Sequence, residues 1–235
     1  MNAQGAEGER LALGFAHLME ELWAADSEQS TLLSVVKAAA TSVPGAIAAG
    51  VSMRRARGRI DTAAATAAFV SEVDRAQYEL REGPCVASVG DNLVNLANDL
   101  RTDTQWPRFG PAAVSLGVDA MLSFRLSARG EVIGALNLYA DRPLAFTEHS
   151  CAVGTIFAAH ASVAIAAARR AETLTEALKT RSEISEAVGI VMERHRLTSE
   201  EAFEVLRRIS QNRNIKLREV AHRILYTGEI PGVQR

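Results

Sequence analysis

The chain holds 235 residues, 48% of them hydrophobic, and its 26 basic and 28 acidic side chains leave a formal net charge of -2. That content excludes a wholly disordered protein and leaves room for one large or two small domains. Two cysteines, Cys85 and Cys151, are too few for a disulfide framework and lack metal-ligand spacing, so both are expected as reduced thiols. Residues 1–10 are expected to be flexible, and the polar, acidic start has no continuous apolar run, so no secretory signal is expected. Phe15, Leu18, Met19 and Leu22 recur at helical spacing and predict a first amphipathic helix; Leu32, Val35, Val36 and Ala39 predict a second. Residues 46–53 read as a strand, Arg57-Gly58 as a turn into residues 60–66, and residues 69–80 as helix again. The most legible hairpin pairs residues 120–126 with 132–139 across Ala128-Arg129-Gly130. Helices on one side of an antiparallel sheet make an α+β sensor-like domain.

Residues 147–180 have no Gly after Gly154 and no Pro, while Ala161, Ala164, Ala168, Ala171, Leu174 and Leu178 recur every three or four positions. One long connecting helix is predicted. Its small-residue seam suits a parallel homodimer, or else covers the sheet. The apolar run 156–168 is short, alanine-rich and interrupted by His160, so no membrane span is expected and a cytoplasmic location is.

Three short helices follow. Ile184, Ala187 and Val191 give the first an apolar face that leaves Glu186 and Glu193 to water, and it stops near Arg196. Thr198 and Glu201 have the form of a capping box ahead of Ala202, Val205, Leu206 and Ile209. After a break at 212–214, Leu217, Val220, Ala221, Ile224 and Leu225 form the third stripe, which Gly228 and Pro231 stop. Each stripe alone buries too little, so the three should close one bundle. Residues 179–235 hold 11 basic and 8 acidic residues, a +3 module behind a -5 remainder, and that asymmetry suits a phosphate-bearing partner. Lys216 and Arg218 fall at a helix start, where free N–H groups and the helix dipole also favour an anion. Gly189, inside a helix, costs roughly 1 kcal/mol relative to Ala; either a helix packs closely there or nucleic acid approaches the backbone beside Ala187 and Gly189.

Two stretches resemble known families. Glu82-Gly83-Pro84-Cys85, Trp106-Pro107-Arg108-Phe109, Gly117 and residues 134–139 followed by Phe146-Thr147 resemble the GAF domain, over residues 11–168. The resemblance implies a sensor that takes a small-molecule ligand or serves as a dimerisation scaffold. The Asn, Lys, Phe, Asp and Glu signature of cyclic-nucleotide GAF domains is absent, although Asn95 and Asp99 lie where polar pocket residues would occur, and no cofactor is assigned. Ala187, Gly189 and Met192, then Glu201-Ala202-Phe203 with Leu206, then Lys216-Leu217-Arg218 with Val220-Ala221 resemble the ANTAR domain, over residues 175–230, with the connecting helix at 147–180 overlapping both domains. That resemblance implies a transcription antitermination regulator that binds paired hairpins in a leader transcript. Its RNA contacts would fall on Arg181, Ala187, Gly189, Arg194, Arg196, Lys216 and Arg218; many family members have Lys where this chain has Val188, which implies one phosphate contact fewer and either lower affinity or a move of charge to Arg181, Arg194 and Arg196. No Asp ends a strand of a receiver-like βα repeat, so input by phosphotransfer is not expected. With few aromatics in the module, shape and loop-edge reading is expected over stacking.

Other residues are candidates for chemistry. Cys85, after a proline at a helix start, is either a thiolate-prone redox sensor or a buried small residue. His149 and His160 lie three turns apart on one helix and cannot share a metal ion, and each reads as a packed or solvated histidine ahead of a lone haem ligand. Trp106 and Phe109 read as core anchors. No G-x-S-x-G, P-loop or paired Cys-x-x-Cys occurs, so an enzyme is not expected. Two rival functions remain open: a dimeric protein-interaction module, and a DNA-binding regulator whose three helices imitate a helix-turn-helix.

Overall fold

The computed structural model describes residues 27–90 and 92–230; the amphipathic stretch Phe15 to Leu22, the first ten residues and Pro231 lie outside them. Two units are distinguished, Met1–Arg169 and Arg170–Arg235.

In the first unit the elements are α1 (Glu28–Ser42), β1 (Ala48–Arg54), β2 (Ile60–Ala65), α2 (Ala68–Leu80), α3 (Pro84–Val89), β3 (Val94–Ala97), α4 (Phe109–Ser115), β4 (Ala120–Ala128) and β5 (Glu131–Ala140). The helix α5 (Glu148–His195) begins here and continues into the second unit. The five strands form one antiparallel sheet in the order β2-β1-β5-β4-β3. The hairpin β4–β5 turns at Arg129 and Gly130, both with positive φ.

The expectation of helices on one side is corrected. Six residues of β1 and seven of β5 are buried in unbroken runs, the pattern of strands covered on both faces. On one face Leu32, Val35 and Val36 of α1 and Val153, Phe157, Ala161 and Ile165 of α5 pack on Leu122, Phe124, Leu136 and Leu138. On the other, Val70 and Val73 of α2, Cys85 of α3 and Phe109 of α4 pack on Met121, Ala135 and Tyr139. Leu136 and Leu138 alternate with Ala135 and Tyr139 along β5, so a one-residue slip would exchange the two cores. Trp106 and Phe109 are core residues as expected.

Two motif segments far apart in sequence meet. Glu82 accepts hydrogen bonds from the backbone N–H of Arg108 (2.7 Å) and Phe109 (3.0 Å), and from the Arg108 guanidinium (2.9 Å). The adjoining Gly83 has φ 129°, and a Cβ there would lie 2.5 Å from the Gln77 side-chain oxygen. Only glycine fits.

Helix α5 is 48 residues long, so the expected connecting helix and the first short helix are one element. By length and composition it is long and apolar enough to cross a membrane, a longer apolar stretch than residues 156–168 suggested. Val153, Phe157, Ala161 and Ile165 are nevertheless buried against the sheet, as in a core helix. The predicted seam also divides: Ala161 is buried in the core, whereas Leu174 and Leu178 are exposed. Ile156 and Val163 in the first unit, seven residues apart, and Leu174 and Leu178 in the second, four apart, form exposed pairs separated by close to whole helical turns.

In the second unit the end of α5 packs with α6 (Ser199–Arg213) and α7 (Leu217–Thr227). Thr198 and Glu201 form the predicted capping box on α6, Asn214 closes it at φ 51°, and Gly228 closes α7 at φ 66°.

Candidate functional site

In the second unit, Ala187, Val188 and Val191 of α5 meet Ala202, Leu206 and Ile209 of α6 and Val220, Ala221 and Ile224 of α7. Ala187 is 0% exposed. Its expected place among the RNA contacts is therefore corrected: it fills the bundle core and lies behind the surface. Gly189, two positions on and 200° around the helix, is exposed, and a Cβ there would meet nothing within 4 Å. Close helix packing does not explain this glycine.

Gly189 faces a groove of about 740 Å³ lined by Ile184, Val188, Met192, Phe203 and Leu217, with Arg181, Ser199 and Glu200 supplying polar groups. Phe203 is 40% exposed. It stands beside the buried Ala202, off the apolar stripe, and helical phase alone marks it as a surface aromatic.

The cations distribute unevenly. Arg181 lines the groove. Lys216 is the N-cap of α7 and Arg218 lies in its first turn; both are exposed, and no side chain caps that helix start. Their neighbour Leu217 lines the groove. The Arg194 guanidinium instead donates to the Gly228 carbonyl, tying α5 to the end of α7. Arg196 is exposed at φ 53°, just past the end of α5.

In the first unit a polar cluster lies between the sheet and α2–α3. The Asp74 carboxylate, fully buried, accepts from Tyr139 OH (2.5 Å), Thr62 Oγ1 (2.9 Å), Gln77 Nε2 (3.1 Å), Ser52 Oγ and Asn137 Nδ2 (each 3.4 Å). Ser52 Oγ in turn accepts from Tyr78 OH (2.7 Å), Asn137 Nδ2 (2.8 Å) and Cys85 Sγ (3.2 Å). No cation takes part in these bonds. Burial pushes Asp74 up to about 6, against hydrogen bonds led by that from Tyr139. Asn95 belongs to an adjoining set through Ser88 Oγ (2.7 Å), whereas Asp99 accepts from Arg101 N–H and Thr102 in an exposed turn.

Of the two readings of Cys85, the same cluster supports the buried small residue over the thiolate. Its backbone N–H, which a thiolate at the helix start would use, donates to Gln77 Oε1 (2.9 Å). Burial, then the nearby Asp74, pushes the thiol up to about 12. A thiol reagent at neutral pH is expected to modify Cys151, which is half-buried, and to reach Cys85 only on unfolding. Mass spectrometry of the native protein checks this, and rapid native labelling of Cys85 would contradict the sealed cluster. His149 and His160 are both exposed, and His160 Nδ1 lies 2.8 Å from the Ile156 carbonyl of its own helix.

A GAF domain model matches residues 25–166 and an ANTAR domain model matches residues 172–225. No curated protein matches the chain. Among solved structures, the Stigmatella aurantiaca phytochrome photosensory core module aligns over 87% of this chain and 45% of its own, at 12% identity and TM-score 0.60. The GAF domain of an Acinetobacter phosphoenolpyruvate-protein phosphotransferase aligns over 70% of this chain and 98% of its own, at 12% identity and TM-score 0.53. The chromophore-binding domain of an unusual bacteriophytochrome from R. palustris aligns over 69% and 63%, at 11% identity and TM-score 0.52. At these identities the likeness is one of fold.

Proposed function

Since the chain belongs to the GAF domain family and carries an ANTAR domain behind it, we propose that it acts in the cytoplasm as a homodimer that binds paired hairpins in leader transcripts under control of a small-molecule signal. The ANTAR domain makes it an RNA-binding antitermination regulator and the GAF domain makes it a sensor. The observation that carries the finer reading is the groove beside Gly189, open where any other residue would place a side chain and bordered by Arg181. RNA backbone would approach there, with phosphates held by Arg181, Arg196, Lys216 and Arg218. Arg194 would contribute by fixing the end of α7. The exposed pair Leu174 and Leu178 of α5 would be covered by the same helix of a second chain.

Titration with hairpin RNA and with duplex DNA, at several salt concentrations, separates this reading from a DNA-binding regulator and from a protein-interaction module, which would bind neither. Lys216→Ala with Arg218→Ala is expected to weaken every competent hairpin alike and to flatten the salt dependence by roughly 1 unit of slope per lost contact. An unchanged slope, with the bundle folded, removes both residues from the interface.

A further inference from the structure

The solvent side of α7 carries a row that starts at Arg218, and its further members His222, Arg223 and Tyr226 are not used by the groove. Arg218, His222 and Tyr226 follow at four-residue steps, so each stands about 6 Å from the next along the helix, and Arg223 stands one turn before Tyr226. The His222 and Tyr226 rings touch, with centroids 4.2 Å apart and planes at 42°. Tyr226 is 73% exposed. The bundle core takes Val220, Ala221 and Ile224 from this helix and has no use for that ring.

The charges around the ring are available. On α6, Arg207 is held by Glu204 at 2.6 Å, and Arg194 is bound to the Gly228 carbonyl. Among the described residues, no carboxylate is paired with Lys216, Arg218 or Arg223. Glu219, the carboxylate of the first turn, lies next to Arg218 and one turn before Arg223 and pairs with neither. An exposed ring oriented by a second ring and flanked by unpaired guanidinium groups suits a splayed-out nucleotide, whose base has a flat face and whose phosphates need cations.

We propose that this row is a base-stacking platform: Tyr226, steadied by His222, stacks one unpaired base of bound RNA while Arg218 and Arg223 hold the neighbouring phosphates. The inference rests on the RNA reading above and adds a site to it. Every base offers a π-face, so the platform contributes affinity for a single-stranded nucleotide and leaves its identity to other contacts. Stacking thereby joins the shape and loop-edge reading expected from a module poor in aromatics.

The test uses the full chain and a hairpin RNA with an unpaired loop. Tyr226→Ala is expected to lower affinity about ten-fold, and Tyr226→Phe to stay within about two-fold of wild type because it keeps the π-face. Neither should change the slope of log affinity against log salt, since the ring carries no charge, whereas Arg218→Ala with Arg223→Ala should reduce it by about 0.7 per lost contact on a single strand. Tyr226→Trp supplies a second readout: its fluorescence, corrected for Trp23 and Trp106 with the wild-type chain, should be quenched on RNA binding. Wild-type affinity in Tyr226→Ala overturns the platform and leaves the RNA reading standing. Equal losses in Tyr226→Ala and Tyr226→Phe also overturn it, because the hydroxyl and not the ring face would then make the contact. If the wild-type chain binds no hairpin, the RNA reading falls first and the platform with it.

Discussion

Gly189→Leu is expected to leave the C-terminal helices folded while lowering hairpin affinity at least about a hundred-fold, close to 2.7 kcal/mol. The two effects have opposite origins. A Cβ at position 189 meets nothing within 4 Å, so leucine enters without a clash, and replacing a mid-helix glycine stabilises the helix by about 0.5–1 kcal/mol. The same side chain projects into the groove that RNA would fill. A thermal melt alongside an RNA titration reads both consequences. Unchanged affinity in a folded Gly189→Leu protein would show that the groove does not face RNA, and a large loss of stability would show that the position is packed after all.

Asp74→Asn is expected to remove a pH dependence of stability worth about 3 kcal/mol. Burial raises this carboxyl from 3.8 to about 6 in the folded chain. Below the unfolded value it is protonated in both states and folding loses nothing. As pH rises toward 6 the unfolded chain releases its proton while the folded chain keeps it, so stability falls; above about 6 the full deficit is present. Asparagine stays neutral throughout. Urea unfolding at pH 4.5 and pH 7.5 should therefore show Asp74→Asn gaining on wild type by about 2 kcal/mol at the higher pH, about 1 kcal/mol of the deficit being present already at pH 4.5. The same difference between the two proteins at both pH values would mean that Asp74 does not titrate as its burial implies. The cluster also gives the sensor domain a buried carboxylate with no cation bonded to it, held in place by hydroxyls and amides from three strands and a helix.

What could be read without coordinates follows the range of each signal. The capping box at Thr198 and Glu201 and the β4–β5 turn are local, and both stand where predicted. Ala187 and Gly189 stand two residues apart, and an i, i+2 pair cannot share a helix face; the phase of the apolar stripe alone separates the two. A count of aromatics hides Tyr226, whereas its four-residue steps from Arg218 and His222 place it on the outer face. The Asp74 cluster had no local signature at all. Ser52, Thr62, Asp74, Asn137 and Tyr139 come together only once β1, β2, α2 and β5 have packed. Helices on both faces of the sheet were hidden for a related reason: β1 is rich in Ala, Gly and Ser, so its burial on two sides does not read as a hydrophobic run.

The strand order β2-β1-β5-β4-β3 puts the last-made strand in the middle of the sheet, with Ala48 opposite Tyr139. At about 5–20 residues per second, a ribosome needs roughly 5–20 s to supply the intervening chain. Until β5 emerges, β1 and β2 are a two-stranded ribbon, marginal at best in water, with Val51 and Met53 lacking the neighbours that later bury them. Assembly therefore waits on pairing between distant strands, a slow class of folding event. The nascent sensor does not grow firmer strand by strand; it gains most of its stability in one late closure, and during that wait its half-built edge is the part of the molecule most exposed to aggregation.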